Sequence, residues 1–171
     1  LNGYMGSDSI NPFIETCKAL DKCLFVLVKT SNPGSGELQN MVAGDRLVYK
    51  VMGDMTAKLG KGTEGRYGFH LAGAVVGATY PSDMRELRRR LEHTFFLVPG
   101  YGAQGGGAKD ATAAFDKKGL GAIVNSSRGI LCAWSKRKLD GTAFAAAARE
   151  EALLMREDLL AAIGHPIGEE R

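Results

Sequence analysis

The chain has 171 residues, of which 44% are hydrophobic and 24% charged, and its net charge at pH 7 is +3. These proportions are typical of a globular domain and exclude fibrous and intrinsically disordered chains. The small charge gives no reason to expect a nucleic-acid partner, and no apolar run is long enough to cross a bilayer.

Alternating apolar runs and amphipathic stretches predict four strand-helix units in one domain, residues 1–171, built on a parallel sheet. The predicted strands are residues 23–29, 73–78, 95–99 and 121–125, each almost continuously apolar. The predicted helices are residues 12–20, 45–59, 82–92, 109–118 and 140–163. The arginine-rich run 85–90 lies within one of these helices, and we interpret it as a solvated helix face.

Scattered cysteines and histidines indicate neither a redox nor a metal site. The three cysteines form no Cys-x-x-Cys pair, and the three histidines stand apart from one another and from other ligands. We therefore expect no metal and a reducing, cytoplasmic location. Because the chain opens on Leu1, without an initiator methionine or a signal-peptide pattern, we expect it to begin at an internal point of a longer protein.

Three loops rich in glycine and small polar residues follow predicted strands: residues 30–36, 100–107 and 126–129. The carboxyl ends of parallel strands are the usual ligand-binding edge of an α/β fold. In the last two loops, glycines allow close backbone approach to an anion, and Arg128 offers a planar fork that matches phosphate oxygens. The alternative is that the glycines only make turns and that Arg128 is a surface charge.

The loop at 30–36 carries hydroxyl and amide groups that could hydrogen-bond a heterocycle, although its local sequence also fits a simple turn. Lys29 precedes this loop at the end of a predicted strand. A lysine there could form a Schiff base with a carbonyl substrate, as in an aldolase.

Four segments resemble the bacterial-type orotidine 5′-monophosphate decarboxylases: LNGYMGSD at 1–8, KTSNPG at 29–34, PGYGAQGG at 99–106 and NSSRGI at 125–130. The resemblance runs through essentially the whole chain, and the last two segments together are highly specific. It implies a (β/α)8 TIM barrel that forms a homodimer. It also implies removal of CO2 from orotidine 5′-monophosphate to give UMP, without a metal or an organic cofactor.

Carried over to this chain, the resemblance implies that Arg128 grips the 5′-phosphate and that Gln104 reaches the phosphate and the pyrimidine. Thr30 and Ser31 would border the base and the departing carboxylate, and Asn2 would lie near the substrate. The complete predicted substrate-binding set is Asn2, Thr30, Ser31, Pro99, Gly102, Gln104, Ser127 and Arg128.

Two departures from the family pattern limit what this chain can do. It has Asn2-Gly3-Tyr4 where relatives commonly have Asn-Pro-Tyr, and the family's catalytic Asp-x-Lys-x-x-x-Asp-like segment does not occur in residues 1–171. A full barrel takes about 250 residues. We therefore predict roughly the second half of a barrel, with catalytic residues upstream of Leu1 and an inactive isolated chain.

Three hypotheses follow from these observations. The chain is a piece of a decarboxylase, a non-catalytic nucleotide-binding half-barrel, or a phosphosugar aldolase that uses Lys29. In the first two, a half-barrel leaves strand edges unpaired, so we expect it to dimerise or to associate with the missing N-terminal half.

Overall fold

The computed structural model describes residues 1–102 and 105–164. Four parallel strands form the main sheet in the order β1, β4, β5, β6. They span β1 (Leu24–Lys29), β4 (Ala72–Val76), β5 (Phe96–Val98) and β6 (Ala122–Val124). In sequence, β1 and β4 are separated by an antiparallel hairpin of two short strands, β2 (Val42–Ala43) and β3 (Arg46–Leu47). The predicted α/β class with a parallel sheet is confirmed.

The α-helices are α1 (Ser7–Leu20), α2 (Gly36–Gln39), α3 (Val48–Gly60), α4 (Pro81–Arg90), α5 (Ala108–Ala111), α6 (Ser127–Leu131), α7 (Ala133–Lys136) and α8 (Phe144–Ile163). Short 3-10 turns occupy Gly3–Met5, Pro33–Ser35, Thr112–Ala114 and Gly141–Ala143.

The hydrophobic core lies between the sheet and the helices that connect its strands. Val28, Val76 and Phe96 of the sheet cluster with Tyr49 of α3 and Leu87 of α4, and all five side chains are buried. The other face of the sheet is open at its edges, where Leu27 is 41% and Ile123 is 54% exposed. Since neighbouring residues of a strand point to opposite faces, one face packs on helices and the other remains available.

The first two residues extend the sheet beyond β1. The amide of Leu27 donates to the carbonyl of Leu1 over 2.8 Å, the amino group of Leu1 donates to Phe25, and Asn2 pairs with Leu27 in parallel. Residues 1 and 2 therefore pair in parallel with β1 at the outer edge of the sheet.

Three predicted helices differ from those observed. The helix predicted at 12–20 begins at Ser7, because Pro12 lies inside its second turn and does not start it. The helix predicted at 45–59 begins at Val48, because Gly44 has φ +68° and turns the chain into the β2–β3 hairpin. The helix predicted at 109–118 is wrong beyond Ala114. The Asp116 carboxylate accepts from the amides of Lys118 and Leu120, and Gly119 has φ +73°, so a side-chain-stabilised turn replaces the helix.

The prediction that the arginine run 85–90 forms a solvated helix face is correct for only part of the run. Arg88 is only 8% exposed, whereas Arg85, Arg89 and Arg90 are exposed. The prediction failed because it treated the four arginines as one charged set, whereas the helical period turns Arg88 inward beside Leu87.

Asp54 on α3 joins three elements through two arginines. Its carboxylate accepts from Arg46 of β3 over 2.6 Å and from two nitrogens of Arg90 on α4 over 2.5 and 2.6 Å. The Arg90 hydrogen bond is the main cause of a lowered pKa of Asp54, and burial opposes it. These contacts fix the hairpin and α4 against α3.

We expect Asp54→Asn to lower the free energy of unfolding by about 1 kcal/mol at pH 7, a modest value because solvent screens the partly exposed arginines. The folded-state pKa lies below the unfolded value of about 3.8. The contribution should therefore be fully present above that pH and be lost as the pH falls through the folded-state pKa. Urea unfolding of both chains between pH 7 and pH 3 measures how the Asp54 contribution to the free energy of unfolding changes with pH. Asp21→Asn, at the exposed residue that ends α1, is the control. A difference in unfolding free energy between Asp54→Asn and the unsubstituted chain that does not narrow as the pH falls would contradict the prediction.

Candidate anion-binding site

A cleft opens at the carboxyl edge of the sheet, where three loops meet. Its lining residues are Ser31, Pro99, Gly100, Tyr101, Asn125, Ser126, Ser127 and Arg128. Ser31 follows β1, the group at 99–101 follows β5, and the group at 125–128 follows β6. The fold thus brings together four of the predicted residues, Ser31, Pro99, Ser127 and Arg128.

The loop after β5 depends on glycine for its path. Gly100 and Gly102 have φ of +95° and +73°, a region that side chains rarely adopt. The Gly102 amide donates to the Gly106 carbonyl over 2.7 Å, which closes the loop on itself. A Cβ on Gly106 would lie 2.6 Å from the Cβ of Ala78, so this close approach also requires glycine. Gln104 falls outside the described residues, and its predicted role stays a prediction.

The loop after β6 is joined to the loop after β5 by Ser126. Its buried hydroxyl donates to the carbonyl of Tyr101 over 3.1 Å. Gly129 makes this possible, because a Cβ there would lie 2.3 Å from the Ser126 hydroxyl oxygen. Ser127 and Arg128 then form the first residues of α6, a short helix that the sequence interpretation took for a loop.

Among the described residues, Arg128 is the one arginine that lines the cleft. Its side chain is exposed, and within residues 1–102 and 105–164 it has neither a hydrogen bond nor an ion pair. An unpaired guanidinium on the rim of a glycine-walled cleft is suited to bind an anion, since its fork can hold two oxygens at once.

Tyr101 and Asn125 also line the cleft but were not in the predicted set. Both lie in the quoted motifs, so the motif boundaries were the signal that could have found them. Burial, followed by a hydrogen bond to Asp158, raises the pKa of Tyr101 to about 12. Its phenol therefore remains protonated at neutral pH.

The loop after β1 is held by its own side chains. The Gln39 amide oxygen accepts from the Thr30 amide over 3.0 Å, and its nitrogen donates to the Thr30 hydroxyl over 2.8 Å. Thr30 in turn donates to Asn32 over 2.7 Å. Thr30 thus shapes the loop, and Ser31 is the residue of the pair that reaches the cleft.

Asn2 does not line the cleft in the structure. It lies next to β1 at the sheet edge, where its carboxamide oxygen accepts from the Tyr4 amide over 3.0 Å. Its predicted place near a substrate stays a prediction.

Lys29 is unsuited to Schiff-base chemistry. Its side chain is fully buried, donates to Asn40 over 2.5 Å and lies 3.7 Å from the Asp83 carboxylate. The ammonium also sits 5.0 and 4.7 Å from the ring centres of Tyr49 and Tyr80. Burial and then the Asp83 and Glu86 carboxylates raise the pKa of Tyr49 to about 12. This enclosed cation holds loops together and cannot meet a carbonyl substrate.

Within residues 1–102 and 105–164 no three His, Cys, Asp or Glu side chains gather closely enough to hold a metal ion. In that same part of the chain, no helix has both the length and the apolar character that crossing a bilayer requires.

Comparison with known proteins connects this architecture to one family. Residues 1–138 match the model of the orotidine 5′-phosphate decarboxylase / HUMPS family. An orotidine 5′-phosphate decarboxylase of Clostridium perfringens is 46% identical over 164 residues, which are 95% of this chain and 56% of that protein. One from Rhodopirellula baltica is 42% identical over 160 residues, 91% of this chain and 53% of the relative. The chain spans about half the length of the curated relatives it matches.

Comparison with solved structures leads to the same family. The Leishmania donovani OMP decarboxylase superposes with a TM-score of 0.68 at 36% identity, covering 96% of this chain and 56% of that one. A Toxoplasma gondii protein described as a putative orotidine-monophosphate-decarboxylase superposes with a TM-score of 0.73 at 30% identity, covering 96% of this chain and 58% of that one. These neighbours are TIM barrels, and the four-stranded parallel sheet corresponds to about half of such a barrel.

Proposed function

Because the chain belongs to the orotidine 5′-phosphate decarboxylase / HUMPS family, we propose that it provides the phosphate- and pyrimidine-binding part of an enzyme that converts orotidine 5′-monophosphate to UMP. The proposal rests chiefly on Arg128, whose guanidinium lies in the cleft between the loops after β5 and β6 and has no partner among the residues that the structure describes. In TIM barrels the loops after the last two strands are the recurrent phosphate site.

Within this proposal each loop has a distinct task. Arg128 and the backbone of the glycine loop hold the 5′-phosphate, with Gln104 reaching from that loop toward phosphate and base. Ser31, next to Thr30, faces the pyrimidine, and Asn2 approaches from the neighbouring strand position. Pro99 and Ser127 line the cleft, and Gly102, which is not one of the lining residues, turns the loop after β5 beside it. Held at both ends, the nucleotide presents its C6 carboxylate to the reacting part of the enzyme.

The chemistry itself requires groups that we do not assign to these 171 residues. Loss of CO2 leaves an electron pair on C6, which must be stabilised by a nearby cation and then take up a proton. We propose that residues 1–171 form the C-terminal part of one (β/α)8 domain and do not catalyse the reaction alone. Their contribution is binding energy from the remote phosphate, which can be used at the reacting carbon. UMP formation by the isolated chain would contradict this division.

The same proposal covers partners and location. We expect a homodimer, or association with the N-terminal part of the barrel, because the open face of the sheet exposes Leu27 and Ile123. Neither a metal nor an organic cofactor is needed for the proposed reaction, and we place it in the cytoplasm with other steps of pyrimidine nucleotide synthesis.

Ligand binding tests the proposal directly. We expect the chain to bind UMP at least tenfold more tightly than uridine, since a charged hydrogen-bonded contact contributes about 1.5–3 kcal/mol. Isothermal titration calorimetry of the purified chain with the two ligands measures the difference. Equal affinities, or tighter binding of uridine, would rule out the cleft as a phosphate site.

A further inference from the structure

The longest helix, α8 (Phe144–Ile163), lies beyond the residues that match the family model. It packs against α5, α6 and α7, the helices that follow the two loops of the anion cleft. A helix with contacts to both loop-helix units can fix the position of one relative to the other.

Tyr101 is the point at which α8 reaches the cleft itself. Its phenolic hydroxyl donates to the Asp158 carboxylate on α8, 57 residues away in the chain. At its other end, the carbonyl of Tyr101 accepts from the Ser126 hydroxyl over 3.1 Å. One residue of the glycine loop is thus fixed both to the helix behind the cleft and to the loop opposite.

A second set of contacts attaches the opposite wall of the cleft, the one that carries Arg128, to α8. Arg137, just after α7, donates to Glu151 of α8 over 3.0 Å and also to Glu150. The segment that continues from Arg128 is therefore attached to α8 about two turns before the Asp158 position. Because both attachments are on one continuous helix, α8 spans the separation between the two walls of the cleft.

We propose that Asp158 is a positioning residue for the anion cleft, acting through Tyr101 to hold the loop after β5 at the correct distance from Arg128. This inference rests on the proposed function, since it concerns how the same site is shaped for a phosphate. Glycines at 100 and 102 give that loop little rigidity of its own, so an external attachment has a large effect on its order. A protonated Tyr101 phenol, with its raised pKa, keeps this attachment as a donor to a carboxylate across the neutral range.

The test uses four variants of the full chain: Asp158→Ala, Asp158→Asn, Tyr101→Phe and the Asp158→Ala/Tyr101→Phe pair. Glu157→Gln, at the exposed neighbouring acid of α8, is the control for charge. Two measurements are made on each, the UMP dissociation constant by calorimetry and amide hydrogen exchange of the peptide covering residues 96–102. Melting temperature reports any general loss of stability.

We expect Asp158→Ala to weaken UMP binding by about threefold to tenfold, the range for one hydrogen bond. Asp158→Asn keeps an acceptor oxygen and should restore most of the affinity. The double variant should be no weaker than Tyr101→Phe, because Asp158 acts only through Tyr101. Exchange at 96–102 should accelerate in Asp158→Ala while Glu157→Gln matches the unsubstituted chain.

Unchanged exchange at 96–102 in Asp158→Ala would overturn the inference, whatever the ligand result. Accelerated exchange with unchanged UMP affinity would also overturn it, since the attachment would then order the loop without serving the site. If the unsubstituted chain binds no UMP, the proposed function fails, and the exchange measurement alone decides whether Asp158 orders the loop. A fall in melting temperature equal in Asp158→Ala and Asp158→Asn would indicate a purely structural helix contact and count against it.

Discussion

Replacing Arg88 with methionine is expected to lower the free energy of unfolding by about 3–5 kcal/mol. Arg88 lies on the inner side of α4, and its two terminal nitrogens donate to five backbone carbonyls. These acceptors are Leu91, Glu92, Thr94, Ala114 and Gly121. Burial lowers the pKa of Arg88 to about 10, with Asp116 and Glu92 opposing the shift, so the guanidinium stays charged at neutral pH.

The size of this effect follows from what the substitution leaves behind. Methionine can fill the space over the Phe96 ring, whose centre is 4.1 Å from the guanidinium carbon. It cannot donate to the carbonyls, among them Thr94 at 2.8 Å and Gly121 at 3.2 Å, which lie just before β5 and β6. Removing a buried donor while its acceptors remain costs far more than removing both.

Urea unfolding of the chain measures this, with Arg89→Met as the matched control. Arg89 is the exposed neighbour on the same helix, so the same chemical change there should alter stability by at most about 0.5 kcal/mol. Because the total free energy of unfolding of a domain is about 5–15 kcal/mol, a loss of this size can also prevent Arg88→Met from folding. Equal unfolding free energies for the two variants would show that the carbonyl cluster is not stabilised by Arg88.

The main sheet was predictable from the sequence because buried parallel strands are almost purely apolar. Strands predicted at 23–29 and 73–78 correspond to Leu24–Lys29 and Ala72–Val76. What could not be predicted was set locally, by side-chain hydrogen bonds in one case and by a glycine turn in the other. Asp116 stops a helix by capping its own turn, and the Gly44 turn forms a hairpin within an otherwise helical pattern.

The cleft was predictable to the extent that contiguous motifs encode it. The glycine loop and the Ser-Ser-Arg segment stand on adjacent strands, so their sequence order places them together. Lys29 and Tyr101 behave differently, because their partners lie 11 and 57 residues away in the chain. No local pattern distinguishes an enclosed Lys29 from a reactive lysine, or an Asp158 bonded to a loop from a solvated acid.

Arg128→Ala is expected to weaken UMP binding by about 1.5–3 kcal/mol, roughly 10- to 150-fold in Kd. The guanidinium is exposed and, among the residues that the structure describes, has no competing partner. Its substitution should therefore leave the folded state nearly unchanged and act on the ligand alone. Uridine affinity should not change, because uridine lacks the group that Arg128 contacts.

A graded series makes the result specific to phosphate recognition. Arg128→Lys keeps the charge but loses the planar fork, so its affinity for UMP should fall between those of the alanine variant and the unsubstituted chain. Arg149→Ala, at an exposed arginine of α8, controls for the overall charge and should change UMP affinity little. If Arg149→Ala and Arg128→Ala weaken UMP binding equally, the attraction is a diffuse effect of net charge. Arg128 would then not be the phosphate ligand that the cleft geometry favours.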